Sequence, residues 1–246
     1  MQPSAATPPA TARIPSRSSG PLALAWCVHA LTASGAVLGT LSLVAIFQGA
    51  LERAGIFMLV ALFVDSVDGS LARRLRVAER IPSIDGRRLD DVVDFLNYAV
   101  VPVVFMVWIG ALHPLLSAAP VLASAYGFAQ SEAKTQDDFF LGWPSYWNVV
   151  ALYVWRLEIE PATAQALVLF FSAAVFVPLK YIYPSKLRVL RLTSGVGAGA
   201  WMLTMAFIVL WPERAREVHL TEISLAYVAW YVGLSAWLGR WWRWSD

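Results

Sequence analysis

The chain has 246 residues, of which 58% are hydrophobic and 15% charged, whereas soluble domains average about 45–50% and about 25%. This composition argues against an ordinary soluble enzyme and against a disordered chain. The net charge of +2 provides no broad basic surface for a nucleic acid. The single cysteine, Cys27, excludes an internal disulfide framework and a metal–thiolate cluster. The twelve tryptophans are typical of side chains that anchor a protein at a bilayer surface.

Long uncharged stretches predict an all-α membrane helix bundle, because a helix needs roughly 20 mostly apolar residues to cross a bilayer. Residues 18–51 carry no Asp, Glu, Lys or Arg, and residues 95–131 form an uncharged run of 37 that is too long for one helix. His113 and Pro114 predict a turn that divides this run. About eight transmembrane helices are predicted, near Leu22–Gln48, Ala54–Ala72, Asp90–Leu112, Pro114–Gln130, Phe139–Trp155, Pro161–Leu179, Leu192–Pro212 and Ile223–Gly239.

The distribution of basic residues predicts the orientation, since Lys and Arg are enriched in cytoplasmic loops. With both termini in the cytoplasm, 15 of the 19 Lys and Arg residues face inward. Six of these are arginines between Arg73 and Arg88. Residues 1–20 are predicted to be a disordered cytoplasmic tail, and residues 21–246 a single transmembrane domain. A cleaved signal peptide is the alternative for the first apolar run, but that run is longer than such a peptide has.

Four aspartates lie at one depth in this arrangement, at the end of the second predicted span and the start of the third. Asp65 and Asp68 are three residues apart, Asp90 and Asp94 are four apart, and each pair shares a helix face. A carboxylate at the centre of a membrane helix costs roughly 2.5–3.5 kcal/mol, so such residues usually have a function. Carboxylates without His or Cys suit Mg²⁺ or Mn²⁺, and two such ions can stabilise a phosphoryl transition state. The alternative is a structural network with the neighbouring arginines.

These aspartates belong to a longer pattern: D-x-x-D-G-x-x-A-R, then twelve further residues, then G-x-x-x-D-x-x-x-D. Its other members are Gly69, Ala72, Arg73 and Gly86. The pattern resembles the signature of the CDP-alcohol phosphatidyltransferase family, in which the spacer is usually shorter. The twelve-residue spacer, the eight predicted spans and the chain length are most similar to the bacterial phosphatidylcholine synthases within that family.

The resemblance implies an enzyme of the bacterial inner membrane that transfers phosphatidyl from CDP-diacylglycerol to an alcohol and releases CMP at the cytoplasmic face. It implies that Asp65, Asp68 and Asp90 hold Mn²⁺ or Mg²⁺, as two ions, and that Asp94 is both a ligand and the base for the acceptor hydroxyl. The four other motif residues would border the nucleotide. Thr32 and Ser34 of the first predicted span are further candidates for nucleotide contact. Because the family is commonly dimeric, a homodimer is also implied.

Choline is the predicted acceptor, chiefly because the resemblance to the bacterial phosphatidylcholine synthases implies it. Its quaternary ammonium binds aromatic faces by cation–π attraction of roughly 0.5–2 kcal/mol, and Lys134 is the only basic residue between Ser131 and Asn148, which favours a cation over a phosphate. An aromatic belt at the membrane surface, which needs no ligand, is the alternative for the rings of this region. The predicted acceptor pocket comprises Tyr126, Glu132, Trp143, Tyr146 and Trp147.

Two other functions are compatible with parts of the sequence. A sibling enzyme of the same family would use serine or glycerol 3-phosphate as the acceptor, and acceptor specificity alone separates it from a choline enzyme. A cation transporter or channel would also contain membrane carboxylates, but it would more often place charges at several depths across the bilayer. The aspartates here lie at a single level, which favours the enzyme.

Overall fold

The computed structural model describes residues 22–130, 135, 139–183 and 191–241, with side chains from residue 195 onward in the last range. The predicted tail and Glu132 lie outside the described residues. The α-helices are α1 (Leu22–Phe47), α2 (Leu51–Arg74), α3 (Val77–Arg80), α4 (Gly86–Asp94), α5 (Val101–Trp108), α6 (Ala118–Ala129), α7 (Trp147–Arg156), α8 (Pro161–Ala174), α9 (Arg191–Leu210), α10 (Pro212–Glu217) and α11 (Leu220–Gly239). A π-helical segment, Phe95–Val100, joins α4 to α5, and a 3₁₀ turn, Pro114–Ser117, precedes α6. The strands β1 (Phe139–Leu141) and β2 (Lys180–Ile182) form a two-stranded sheet.

The long apolar helices confirm a helical membrane protein. Within the part of the chain that the structure describes, the helices long and apolar enough to cross a bilayer are Leu22–Phe47, Leu51–Arg74 and Gly86–Trp108. They correspond to the first three predicted spans, and the third is continuous through the π-helical segment. Shorter apolar helices cover Pro114–Ala129, Pro161–Ala174 and Gly195–Leu210. The total of eight spans and the cytoplasmic termini stay predictions.

The fifth predicted span, Phe139–Trp155, is wrong in its first half. The segment begins with β1, which pairs antiparallel with β2, and α7 begins only at Trp147. Gly142 and Ser145 have left-handed backbone conformations, with φ of 82° and 56°, and Pro144 lies between them. Left-handed residues and a proline interrupt a right-handed helix. α7 therefore has only 10 residues, about half of the roughly 20 that a span requires.

Close packing against α1 sets the position of α4. Gly35 and Gly39 lie on the buried face of α1. A Cβ added at Gly35 would lie 2.6 Å from Val93, and one added at Gly39 would lie 2.8 Å from Leu96. Neither position has room for a side chain, so the start of the third span approaches the backbone of α1 directly. Since α1 also packs along α2, this contact brings α2 and α4 together at the level of the aspartates.

A buried tryptophan anchors the start of α7. Trp147 is fully buried in the main hydrophobic core with Phe105 and Met205. Its indole N–H donates a hydrogen bond of 2.7 Å to Ser124 Oγ in α6. The Ser124 hydroxyl in turn lies 3.1 Å from the hydroxyl of Ser145. These bonds fix the irregular residues that precede α7, which line the cavity described below.

Candidate active site

Three carboxylates meet between α2 and α4. Asp65 and Asp68 lie in the second half of α2, and Asp90 lies in the middle of α4. Each contributes an oxygen to a group whose oxygens all lie within 4.8 Å of one another. Asp68 is buried, with 3% of its surface exposed, and the other two are half-buried. Helical spacing and the close approach of α4 thus bring together three of the four predicted aspartates.

This group of carboxylates fits a hard divalent cation. Mg²⁺ binds oxygens at about 2.0–2.1 Å, which places two ligands of one ion up to about 4 Å apart. The observed spacing therefore requires only a small closing movement of the side chains. Negative charges held this close repel one another, and a cation between them would remove that repulsion. The donor set suits Mg²⁺ or Mn²⁺.

Asp94 is the last residue of α4, one helical turn beyond Asp90, and is not one of the three aspartates in the group described above. It borders a small pocket together with the other three aspartates, and it also lines the large cavity described below. The next residue begins the π-helical segment Phe95–Val100. Such segments are frequent at functional sites, because they insert a residue into a helical turn. Asp94 thus lies between the cluster of three aspartates and the cavity.

Two hydroxyl groups orient the carboxylates. The Thr32 hydroxyl donates a hydrogen bond of 2.6 Å to Asp68 Oδ2, and the Tyr98 hydroxyl donates one of 2.6 Å to Asp65 Oδ2. Hydrogen bonds to an ionised carboxylate are roughly twice as strong as those between neutral groups. Thr32 is predicted to contact the nucleotide, and in the structure its contact is with a carboxylate. Sequence reasoning misses Tyr98, for which its spacing of four residues from Asp94 is the available signal.

The other predicted nucleotide contacts in α1 and α2 are not among the described residues that line the small aspartate pocket or the large cavity. Ser34 donates to a backbone carbonyl of its own helix over 2.6 Å. A Cβ added at Gly69 would lie 3.3 Å from the Arg73 guanidinium. Arg73 is exposed and donates to Ser70 Oγ over 3.1 Å. Ala72 is partly buried against a small apolar cluster formed by α1 and the α2–α4 connection.

The start of α4 is fixed by a cap and by a close contact with α1. The Asp85 carboxylate accepts hydrogen bonds from the backbone N–H groups of Arg87 and Arg88, over 3.1 and 3.2 Å. It thereby satisfies two of the free donors at the helix start. A Cβ added at Gly86 would lie 3.3 Å from the His29 ring, so the predicted glycine allows α1 to approach. Both contacts determine where α4 begins and therefore where its aspartates lie.

A cavity of about 280 Å³ opens beside the carboxylates. Asp65, Asp90 and Asp94 line part of it, with Asp91 and Arg87. Phe140, Leu141 and the turn after β1 also contribute to its wall, so the short sheet helps to enclose the site. The aromatic part of the wall comes from distant segments of the chain: Tyr98, Phe128, Phe140, Trp143, Tyr146, Tyr183, Trp201, Tyr227 and Tyr231.

The predicted acceptor pocket is only partly assembled at this cavity. Trp143 and Tyr146 line it. Tyr126 is 49% exposed and does not border it, because its ring lies on the outer face of α6. Trp147 also lies outside the lining, because the first turn of α7 directs its ring into the core, where it is fully buried. The position of Glu132 is outside the part of the chain that the structure describes.

Three further rings of the cavity come from the C-terminal helices. Trp201 lies in α9, and Tyr227 and Tyr231 lie in α11. The Trp201 indole donates to the Tyr153 hydroxyl over 2.9 Å, and the Tyr231 hydroxyl donates to a backbone carbonyl of β2 over 3.1 Å. Sequence reasoning misses these rings, because the same helices also carry aromatic residues at exposed positions and no local pattern distinguishes the two sets.

Comparison with a family model gives an independent match. The model described as CDP-alcohol phosphatidyltransferase matches residues 27–237, which include all four aspartates and the aromatic residues of the cavity.

Curated bacterial proteins match over most of the chain. A phosphatidylcholine synthase of Legionella pneumophila is 36% identical over 223 residues, covering 86% of this chain and 87% of that protein. A phosphatidylcholine synthase of Borreliella burgdorferi is 37% identical over 69% of this chain and 74% of its own length. One from Pseudomonas aeruginosa is 32% identical, with coverage of 87% and 92%.

Proposed function

The chain belongs to the CDP-alcohol phosphatidyltransferase family, and from this premise we propose that it is a phosphatidylcholine synthase. It is a CDP-diacylglycerol-dependent phosphatidyltransferase, and the acceptor in this proposal is choline. The observation that carries the proposal is a cavity that is lined by both carboxylates and aromatic rings. The similarity to bacterial phosphatidylcholine synthases supports the same acceptor.

The four aspartates divide the chemistry between them in this proposal. Asp65, Asp68 and Asp90 would hold the divalent cations of a two-ion site, with Asp94 as an additional ligand. Mn²⁺ or Mg²⁺, when bound, would neutralise the diphosphate of CDP-diacylglycerol and the negative charge that develops on its oxygens during transfer. Thr32 and Tyr98 keep two of the carboxylates in fixed orientations through their hydrogen bonds.

Asp94 is the general base in this mechanism. It lines the cavity, so a hydroxyl held there can reach its carboxylate. As the choline oxygen attacks the phosphorus that bears diacylglycerol, Asp94 accepts the hydroxyl proton. The new P–O bond forms and the bond to the CMP oxygen breaks, so that CMP departs with the electron pair. The products are phosphatidylcholine, CMP and a protonated Asp94, which returns its proton to water.

In this proposal, the nucleotide binds beside the small motif residues of α2 and α4. Small side chains at Gly69, Ala72 and Gly86 allow close approach to the α2 and α4 backbones. Arg73, which is exposed at the end of α2, provides a charge for the phosphates, and Thr32 and Ser34 complete this side from α1. Choline occupies the wider cavity, where Trp143 and Tyr146 are the members of the predicted pocket that line the wall.

The proposed setting is the bacterial inner membrane, with both termini and the active site on the cytoplasmic side. CDP-diacylglycerol is taken from the inner leaflet, and CMP is released to the cytoplasm. The excess of Lys and Arg on that side supports this orientation. The proposed assembly is a homodimer, as is common in the family.

An acceptor assay tests the proposal. The purified chain in nanodiscs would receive CDP-diacylglycerol and Mn²⁺ with choline, serine, glycerol 3-phosphate or inositol phosphate, each in a separate reaction. We expect choline alone to give CMP, in equal amount to phosphatidylcholine. Turnover with serine or glycerol 3-phosphate in place of choline would contradict the proposal and identify a sibling enzyme of the same family.

A further inference from the structure

We propose that Tyr98, Tyr146 and Tyr231 form the subsite for the quaternary ammonium of the acceptor. The inference rests on the proposed function and assigns a substrate group to named rings of the same cavity. All three side chains line that cavity. They come from the π-helical segment, from the residue before α7 and from α11, so the subsite exists only in the folded chain.

The rings are arranged as a cation would require. The centroids of Tyr98 and Tyr146 lie 6.1 Å apart, with 49° between the ring planes. Those of Tyr146 and Tyr231 lie 6.0 Å apart, with 68° between the planes. Neither pair of rings is stacked face to face, so no ring covers a whole face of its neighbour. A cation binds within about 6 Å of a ring centroid, so one ammonium can contact more than one of these rings.

Hydrogen bonds hold two of the three rings, those of Tyr98 and Tyr231, in place. Tyr98 donates to Asp65 over 2.6 Å, and Tyr231 donates to the backbone carbonyl of Ile182 in β2 over 3.1 Å. Because the rings are fixed before the substrate arrives, binding loses little side-chain freedom. The bond to Asp65 also places the first ring next to the carboxylate group. An ammonium on that ring would carry a hydroxyl, two carbons away, to the neighbourhood of Asp94.

The charge of the cavity also favours a cation. Four aspartates line the cavity, whereas Arg87 is the one Lys or Arg in its lining as far as the chain is described. The Arg87 side chain is 61% exposed and lies 3.9 Å from Asp91, so it is directed to solvent and to a carboxylate. The described lining therefore offers no buried basic side chain that would bind a negatively charged acceptor.

A quaternary ammonium suits these rings better than a primary one. It has no N–H groups and therefore needs no hydrogen-bond acceptors, whereas a primary ammonium must find partners for three donors. Ring faces attract a methylated cation through their quadrupole and contact its methyl groups at the same time. The three tyrosine rings thus explain a preference for choline. Carboxylates alone would bind any cation in this cavity.

The test compares choline with its neutral isostere 3,3-dimethylbutan-1-ol, in which carbon replaces nitrogen. In nanodiscs with CDP-diacylglycerol and Mn²⁺, kcat/KM for both alcohols is measured for the wild type, Tyr231→Leu and Tyr146→Leu. We expect each Leu variant to lower the ratio of kcat/KM for choline to that for the isostere about tenfold. One ring contributes about 1–2 kcal/mol to binding of the cation, and its loss gives a factor of this size. Tyr231→Phe, which keeps the ring, should retain the ratio. Trp237→Leu, an exposed aromatic position on the same helix, is the matched control and should leave it unchanged.

A ratio that stays at the wild-type value in both Leu variants, with an unchanged KM for CDP-diacylglycerol, would overturn the subsite. Tetramethylammonium provides a test in the wild type that does not depend on the folding of a variant. We expect it to compete with choline and not with CDP-diacylglycerol, and a lack of competition would equally overturn the subsite. Wild-type protein that uses serine and not choline would instead refute the proposed function itself.

Discussion

The carboxylate of Asp94 borders both the aspartate pocket and the cavity, and this position makes its replacement the most informative single change. Asp94→Asn keeps the shape and one oxygen of the side chain but cannot accept a proton. We expect turnover to fall by about 10²–10⁴-fold, the contribution of a general base. Metal-dependent CMP binding, measured by isothermal titration calorimetry, should persist because the other three carboxylates are intact.

The matched control for this charge removal is Glu79→Gln. Glu79 is an exposed carboxylate of α3, outside both pockets, and its replacement should leave turnover unchanged. Wild-type turnover in Asp94→Asn would remove Asp94 from the mechanism. Loss of CMP binding in that variant would show that Asp94 acts mainly as a ligand.

The buried hydroxyl of Thr32 gives a second prediction for a single residue. Thr32→Val removes the donor to Asp68 and keeps the size of the side chain, so the carboxylate loses a partner in a buried position. Hydrogen bonds to charged groups contribute about 1.5–3 kcal/mol. We expect the Mn²⁺ concentration for half-maximal turnover to rise by about tenfold or more, measured by metal titration. Thr40→Val on the exposed side of α1, where the hydroxyl bonds only its own helix, should have no effect.

At the scale of helices, the contact of α1 with α4 should be sensitive to one methyl group. Gly35→Ala would place a Cβ 2.6 Å from Val93, so α4 must move. Overpacking of this kind costs about 1–3 kcal/mol, and we expect a lower Tm together with reduced turnover, since α4 carries Asp90 and Asp94. Thermal unfolding in detergent and the choline assay would measure both effects.

Gly199→Ala in α9 is the control for this prediction. No atom lies within 4 Å of a Cβ added at Gly199, and alanine is the better helix former by about 0.5–1 kcal/mol. This variant should keep its Tm or raise it slightly. A Tm for Gly35→Ala equal to that of the wild type would mean that α4 is not held by this contact.

The elements that sequence reasoning identifies are those defined by local patterns. The pairs Asp65/Asp68 and Asp90/Asp94 stand out because charge is rare in apolar helices and helical spacing directs both members to one face. The sheet of β1 and β2 depends on pairing between residues about 40 positions apart, as in Phe139 with Ile182. Short strands within apolar sequence give no periodic signal that distinguishes them from helix, so the fifth span is predicted too long.

The aromatic side chains that line the cavity are even harder to predict from the sequence. Tyr146 is predicted because it lies in a stretch rich in rings and acidic groups. Tyr231 lies 85 residues further along the chain. Its helix also carries Trp230 and Trp237, which are exposed. Which ring of such a helix enters a cavity depends on helix rotation and packing, which the sequence of that helix alone does not determine.

For the whole molecule, the charged groups separate to opposite ends of the helix hairpin formed by α1 and α2. The aspartate group and the arginines of the α2–α4 connection lie at one end. Ion pairs collect near the start of α2 and the ends of α7 and α9. Arg156 lies 3.7 Å from Glu52 and donates to the carbonyl of Val209, and Arg216 pairs with Glu158. In a membrane, these two ends are the parts of the chain that must meet water on opposite sides.

The last prediction assigns those ends to their compartments. Ser83 is exposed in the α3–α4 connection, beside the arginines that the positive-inside rule places in the cytoplasm. Ala162 is exposed at the start of α8, next to the opposite set of ion pairs. In a Cys27→Ser background, which removes the exposed native thiol, Ala162→Cys should react with an impermeant maleimide in spheroplasts. Ser83→Cys should react only after the membrane is opened. Labelling of Ser83→Cys in sealed spheroplasts, with Ala162→Cys protected, would invert the orientation. The carboxylates would then face away from the cytoplasm, which contradicts the proposed release of CMP on the cytoplasmic side.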